Sequence, residues 1–171
     1  MKALVVYESM FGNSEAIARA IADGLGDIGE VTLADVVTMP STAGMDLLVV
    51  GAPTHAFSLS RPATREDAQR QASIRPGAAA VGLREYLDVS PMLTDLAAAA
   101  FDTRINKPLL PGSAAHKAHR RLRRLGCRML APAESFHVAN TTGPLLDGET
   151  DRARRWATRL AAMLTRRPRS V

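Results

Sequence analysis

Short apolar runs alternate with stretches of helical character along the whole chain, and this alternation limits the fold more than any other feature. The apolar runs lie at residues 3–7, 31–37, 45–51, 96–101 and 135–138. Runs that are apolar at nearly every position are typical of strands buried on both faces of a parallel sheet. The segments between and after them predict helices near residues 13–25, 63–72, 80–89, 113–125 and 150–165. The sequence therefore predicts an α/β domain, with a parallel sheet covered by helices on both faces.

Length and composition are consistent with one domain. The chain has 171 residues, of which 46% are apolar, enough for a sizeable core. We expect a domain over residues 1–165 and a basic, solvated and flexible tail at 166–171. No apolar run reaches the roughly 20 residues of a membrane span, and no secretory signal is evident. A single cysteine, Cys127, cannot form an internal disulfide, so we expect a cytoplasmic protein with no membrane partner.

Positive charge is the second unusual property of the chain. The net charge is +5 and the pI is near 10.1, with much of the positive charge in HKAHRRLRRLGCR and in the tail. Such clusters favour either a solvated surface or a polyanionic partner, and we interpret them mainly as surface, with nucleic-acid binding unlikely. His116 and His119 are three residues apart on this basic helix, which is weak support for a metal site, so no metal is predicted.

The loop SMFGNS joins the first strand to the first helix, and its composition indicates an anion site. The first amides of a helix have no intrahelical acceptor and carry partial positive charge, so a phosphate placed there receives several hydrogen bonds. Gly12 allows a positive φ, and Ser9 and Ser14 can donate hydroxyl hydrogens. The loop has no lysine, unlike nucleotide triphosphatase loops, and it lacks the glycine pattern of dinucleotide folds. The alternative is an ordinary helix cap made by serine or asparagine.

The same loop resembles the phosphate loop of the flavodoxin family, whose members bind FMN and carry electrons. That loop has the form Ser/Thr-x-Thr-Gly-x-Thr. Its first hydroxyl, its glycine and its last hydroxyl match here, and Phe11 replaces a threonine. The segment YESMFGNS is also similar to the flavodoxin domains of flavodiiron proteins. The resemblance implies a three-layer sandwich with a five-stranded parallel sheet in the order 2-1-3-4-5, and FMN as cofactor. The implied phosphate-binding residues are Ser9, Met10, Phe11, Gly12, Asn13 and Ser14.

The resemblance also implies which residues face the flavin ring. The loop after the third strand matches the family slot that flanks the ring; its residues are Pro53, Thr54, His55, Ala56 and Phe57. Among these, His55 and Phe57 are the candidates for stacking on the ring. The loop after the fourth strand is expected to cover the other side with Phe101, Asp102, Thr103 and Arg104, although the tyrosine common in the family is missing.

Arg104 leads to an expectation about the redox potential of the bound flavin. Its guanidinium near the flavin would favour the anionic reduced form, so we expect a less negative potential than that of an acidic flavodoxin. The alternative is a surface arginine paired with Asp102.

Three functions remain open from the sequence. The first is an FMN-binding electron carrier between redox proteins, for which the basic charge favours an acidic partner. The second is an FMN-dependent oxidoreductase of the quinone, flavin or protoporphyrinogen type. The third is a flavodoxin-like module that has lost FMN and serves as a binding protein. The identity of the partner and the oligomeric state are not predicted.

Overall fold

A computed structural model describes residues 1–55, 58–71 and 77–166 of the chain. Within these residues there are six strands and five α-helices. The strands are β1 (Lys2–Tyr7), β2 (Glu30–Asp35), β3 (Leu47–Pro53), β4 (Ala97–Ile105), β5 (Arg128–Met129) and β6 (Glu134–Val138). The helices are α1 (Asn13–Leu25), α2 (Pro62–Gln71), α3 (Leu83–Val89), α4 (Ala114–Arg124) and α5 (Glu149–Thr165).

The strands form one parallel sheet in the order β2-β1-β3-β4-β5, and β6 also pairs with β4. The predicted fold class and strand order are thereby confirmed. The fifth position of the sheet differs from the prediction of one strand at 135–138, because two segments share it. The short β5 pairs with the start of β4, at Ala97 and Ala98, and β6 pairs with its end, from Phe101 to Ile105.

Helices cover both faces of the sheet, and alternate strand residues point into two separate cores. One core lies under α1 and α5, and Val5, Val49 and Ala99 belong to it. The other lies under α3 and α4 and includes Leu4 and Val50. The alanines at the start of β4 are fully buried between these two layers. Small side chains there let the helices approach the sheet closely, which overrides the low strand propensity of alanine.

Strand β4 continues four residues beyond the predicted end at residue 101. The predicted loop at 102–104 is therefore wrong. Polar residues remain in the strand because their side chains find partners on both sides of the sheet. The carboxylate Oδ2 of Asp102 accepts hydrogen bonds from the Ser113 hydroxyl at 2.6 Å and from the Ala115 amide at 3.1 Å. The hydroxyls of Thr103 and Ser14 are 2.7 Å apart and buried.

An aromatic cluster closes the core under α5. The rings of Phe101, Phe136 and Trp156 meet edge to face, with centroids 6.0 to 6.5 Å apart, a favourable arrangement for aromatic pairs. Phe101 is 0% exposed. Its ring lies against Gly51, the residue opposite it on β3.

In the described ranges, no helix is long and apolar enough to cross a membrane. Helix α5 ends at Thr165, close to the predicted boundary of the domain. Most of the predicted tail, residues 167–171, lies outside the described part of the chain, as do residue 72 of the second predicted helix and residues 56 and 57. The assignment of a domain and a tail stays a prediction.

Replacing Gly51 with alanine is expected to destabilise the protein by about 1–3 kcal/mol, the usual cost of overpacking a core. The added Cβ would overlap the Phe101 ring, which is itself held by Phe136 and Trp156. Gly26→Ala is the matched control, since Gly26 has open space around it and a helical φ of −55°. Urea unfolding of the three proteins measures the difference. Equal stabilities for Gly51→Ala and the wild type would show that the contact is loose.

Candidate functional site

A cavity of about 360 Å³ opens at the carboxyl-terminal edge of the sheet, within the roughly 300–1,000 Å³ of ordinary small-molecule sites. It adjoins the ends of β1 and β3, where the strand order reverses, the usual position of ligands in open α/β sheets. The cavity is lined by Ser9, Met10, Phe11, Asn13, Ser14, Pro53, Thr54, His55, Thr103, Arg104, Ile105, Lys107, Leu110, Pro111, Val138 and Thr141. The structure thus brings together segments that follow β1, β3, β4 and β6.

Helix α1 begins at this cavity without a side-chain cap. Gly12 is its N-cap residue, with a left-handed φ of 92°, and no side chain accepts a hydrogen bond from the opening amides. The Ser9 hydroxyl instead accepts from the Gly12 amide at 3.1 Å, so its own hydrogen can be donated elsewhere. The alternative of an ordinary serine or asparagine cap therefore does not apply. The amides at the start of α1 are arranged as an anion site requires.

Contacts of the remaining loop residues hold the chain in place where it enters α1. The Asn13 side chain donates to the Thr142 carbonyl at 3.1 Å, which links the loop to the segment after β6. Met10 is buried and Phe11 is half-buried, although both line the cavity. Ser14 is tied to Thr103 on β4. The loop thus supplies hydroxyls, amides and apolar surface, without a charged side chain of its own.

Thr54 connects the cavity to helix α4. Its hydroxyl donates to Asp102 at 2.9 Å and accepts from the Ala114 amide at 3.0 Å. Ser113 caps the same helix by accepting from the His116 amide at 3.2 Å. Because Thr54 lines the cavity, the first turn of α4 adjoins the site.

His55 presents a neutral imidazole to the cavity. Burial, with a further contribution from the positive charge of Arg65, lowers the pKa of His55 to about 4. Its Nε2 atom is buried and makes no hydrogen bond within the described part of the chain. His55 therefore contributes an uncharged side chain to the cavity lining. Ala56 and Phe57, the other predicted ring contacts in this loop, lie outside the described residues and stay predictions.

Two of the residues predicted to face the ring, Phe101 and Asp102, are not among those that line the cavity. Both are fully buried. Phe101 packs in the aromatic cluster, and Asp102 holds the start of α4. Thr103 and Arg104 do line the cavity. The Arg104 guanidinium donates to the Leu110 carbonyl at 2.7 Å, so its hydrogen bond goes to the following loop and the predicted alternative of pairing with Asp102 is not seen.

A buried ionic network directly behind the loop was missed by sequence reasoning. Glu8, the residue before Ser9, is 1% exposed. It accepts hydrogen bonds from the Ser60 hydroxyl and, at 2.8 Å, from the Leu83 amide. Arg65, also 1% exposed, donates to Ser60 at 2.8 Å and pairs with Glu85 at 2.8 Å. The network joins β1, α2 and α3. The only signal in the sequence was a glutamate directly after an apolar strand.

Burial raises the pKa of Glu8, and the hydrogen bonds from Ser60 and Leu83 oppose that rise. Ionised carboxylates are seldom fully buried unless they are paired, and here Arg65 supplies a nearby positive charge. The network therefore ties the residue before the loop to α2 and α3, and keeps the carboxylate out of the cavity.

The other reactive side chains do not form a second site. Among the described residues, no group of histidine, cysteine and carboxylate side chains could hold a metal ion. His116 is exposed and His119 half-buried on α4. Burial raises the pKa of the Cys127 thiol to about 11, so this thiol is unreactive at neutral pH.

Solved structures similar to this one include flavodoxins. A flavodoxin from the domain Archaea superposes with a TM-score of 0.68 at 20% identity, covering 96% of this chain and 99% of its own. The flavodoxin of Streptococcus pneumoniae TIGR4 gives 0.68 at 17% identity, with coverages of 95% and 99%. The Flv1 flavodiiron core of Synechocystis sp. PCC6803 gives 0.63 at 16% identity, covering 96% of this chain and 36% of that one. No protein-family model matches the sequence, and neither does any curated protein. The chain has the flavodoxin-like fold.

Replacing His55 with glutamine is expected to reduce the acid sensitivity of the fold. The folded pKa of His55, about 4, is below the ordinary value near 6.5, so the unfolded chain binds the proton more readily. Stability contributed by neutral His55 is complete above about pH 6.5 and falls as the pH drops toward 4, by up to about 3 kcal/mol. Denaturant unfolding at pH 7 and pH 4.5 measures this loss.

His116→Gln is the matched control, because this histidine is exposed on α4. It should lose as much stability on acidification as the wild type does. An unchanged pH dependence in His55→Gln would contradict a neutral, buried His55.

Proposed function

We propose that this protein binds FMN in the cavity and carries electrons between redox proteins. The observation that carries the proposal is the uncapped start of α1, which opens into a cavity together with Gly12 and the Ser9 hydroxyl. A phosphate monoester is a ligand suited to uncapped amides and neutral hydroxyls. The flavodoxin-like fold supports the same placement, since flavodoxins bind FMN at this switch between strands 1 and 3.

The residues present fit FMN by the chemistry of their donors. The start of α1 and Ser9 would hold the phosphate. Beyond them the cavity is lined by apolar groups such as Phe11 and Val138, against which a planar ring can pack, and by the neutral side chain of His55. None of the lining residues is a carboxylate, so an anionic ligand meets no like charge. FMN, when bound, supplies the reversible uptake of one or two electrons.

The protein's own residues set the electrostatics of this site. Arg104 and Lys107 place two positive charges on the cavity wall, and His55 stays neutral at physiological pH. This balance favours the anionic reduced state of a bound flavin. We therefore propose a less negative potential than that of an acidic flavodoxin. The buried Cys127 is compatible with a reducing compartment, and we place the carrier in the cytoplasm.

Titration of the purified protein with FMN tests the proposal directly. Saturable uptake with quenching of flavin fluorescence is the expected result, and no uptake would refute the proposal. Steady-state turnover with NAD(P)H and quinones then separates a carrier from an oxidoreductase, because a carrier shows little turnover in the absence of its protein partners.

Ser9→Ala is expected to weaken FMN binding by about tenfold or more, the value of one hydrogen bond to a charged group. Binding of riboflavin, which lacks the phosphate, should change little. Calorimetry with both ligands measures the two affinities. Ser41→Ala is the matched control, since Ser41 also accepts from a loop amide, that of Ala43, but lies outside the cavity lining. Equal losses for both ligands would place the phosphate elsewhere.

Arg104→Gln is expected to make full reduction of bound FMN more difficult, by the equivalent of about 1–3 kcal/mol for one charge in a partly dry site. The midpoint potential of FMN bound to this variant should become more negative. Arg128→Gln is the control, because Arg128 is exposed on β5 at the opposite edge of the sheet. Redox titration of the three FMN-loaded proteins gives the potentials. The same shift in both variants would mean that overall charge, and not the position of Arg104, sets the potential.

A further inference from the structure

The excess positive charge of the chain comes from one segment, residues 103–133. This segment contains no aspartate or glutamate, and its eight cations are Arg104, Lys107, Lys117, Arg120, Arg121, Arg123, Arg124 and Arg128. The rest of the chain holds the other 14 of the 22 lysines and arginines and all 17 carboxylates. Outside this segment the protein is therefore slightly acidic.

The fold places this segment beside the candidate flavin site. It consists of the end of β4, a rim loop at residues 106–112, helix α4 and β5. The start of α4 contacts the cavity lining through the hydrogen bond from the Ala114 amide to Thr54. Arg104 and Lys107 belong to the lining itself. The cationic surface thus runs from the cavity mouth along one helix.

Helix α4 is amphipathic, with apolar side chains on one face and basic side chains on the other. Its inward face is buried and apolar, and consists of Ala114, Ala115, Ala118 and Leu122. Its outward, exposed face consists of His116, Lys117, Arg120, Arg123 and Arg124. We call this outward face, together with the rim loop, the basic face.

The cations on the outward face of α4 have no counterions of their own. Within the described residues, Lys117, Arg120, Arg123 and Arg124 make no ion pair or hydrogen bond through their side chains, whereas Arg121 pairs with Asp88. Two arginines of α5, Arg152 and Arg154, are paired with carboxylates, whereas Arg155 and Arg159 on the same helix make no such pair among the described residues. Like charges left unpaired on one surface repel one another, and an anionic partner relieves that repulsion.

The rim loop favours a protein over a nucleic acid as that partner. Leu109 is 94% exposed, between Lys107 and the start of α4 in the chain. An exposed apolar side chain in a segment that also carries cations is consistent with the anatomy of protein interfaces, in which an apolar centre has a polar rim. Phosphate backbones offer no comparable apolar contact. The location beside the cavity mouth suits a protein that must come close to the flavin.

We propose that the basic face is the docking surface for an acidic redox protein. The role of that partner rests on the proposed function, because its purpose is electron exchange. In each encounter one electron leaves the reduced member of the pair and the oxidised member gains it. The charges steer the approach and increase the association rate at low ionic strength, and Leu109 supplies the apolar contact.

Binding to an acidic two-iron ferredoxin, measured by calorimetry at low and at high ionic strength, tests this surface. The wild-type protein should bind at low ionic strength and lose affinity as salt is added. The double variant Lys117→Glu with Arg120→Glu should bind at least about tenfold more weakly. The matched control is Arg155→Glu with Arg159→Glu, which makes the same change in charge at exposed positions of α5 on the other side of the sheet. The affinity of this control variant for ferredoxin should fall by less than about threefold.

Several results would overturn the docking surface. They are equal weakening in the two double variants, no ferredoxin binding by the wild type, tighter binding of the basic cytochrome c, or a preference for duplex DNA over ferredoxin through the same residues. Circular dichroism verifies folding, and the neutral pair Lys117→Gln with Arg120→Gln replaces the first variant if it does not fold. FMN uptake, followed separately by flavin fluorescence, distinguishes the two proposals. Ferredoxin binding without FMN uptake refutes the carrier function alone, whereas FMN uptake without ferredoxin binding refutes the docking surface alone.

Discussion

The amides that open helix α1 have no side-chain cap and lie at the edge of a sheet buried on both faces, and the arrangement of the site depends on this constraint. Parallel strands must be joined by crossovers, most of which are α-helical here, so strand ends and helix starts collect along one edge. Where the strand order reverses, the segments after β1 and β3 diverge and leave a cavity between them. Gly12, with its positive φ, lets the chain turn from strand to helix without covering those amides.

A buried ionic network supports this loop from behind. A carboxylate at Glu8 would be costly inside the protein if it stood alone. Hydrogen bonds from Ser60 and Leu83 and the positive charge of Arg65 offset the cost of burying this carboxylate. Because these groups come from four different parts of the chain, the network fixes one wall of the cavity. It also contributes to keeping His55 neutral, through the charge of Arg65.

Strand geometry separates the charges around the site. Consecutive residues of β4 face opposite sides of the sheet, so Asp102 is directed to the start of α4 while Thr103 meets Ser14 on the α1 side. The Asp102 carboxylate binds the start of α4 and does not face the cavity. The charged residues that line the cavity are Arg104 and Lys107. The same segment continues into the basic face, so the charge of the cavity and the charge of the outer surface have one origin in the chain.

Local pattern determined the α/β class and most element positions, because buried parallel strands and amphipathic helices leave periodic signals in the sequence, whereas the strand order came from the family resemblance. Thr103 and Arg104 were placed in the site by resemblance, and the structure brings both to the cavity. The sequence failed where a side chain's environment comes from distant segments. The end of β4, the inward positions of Phe101 and Asp102, and the pairing of Glu8 with Ser60 depend on contacts made only after the sheet and its helices have packed. Tertiary structure decided these features, since burial and partnership of a polar group depend on which segments fold against it, and that information is not local to any stretch of the chain.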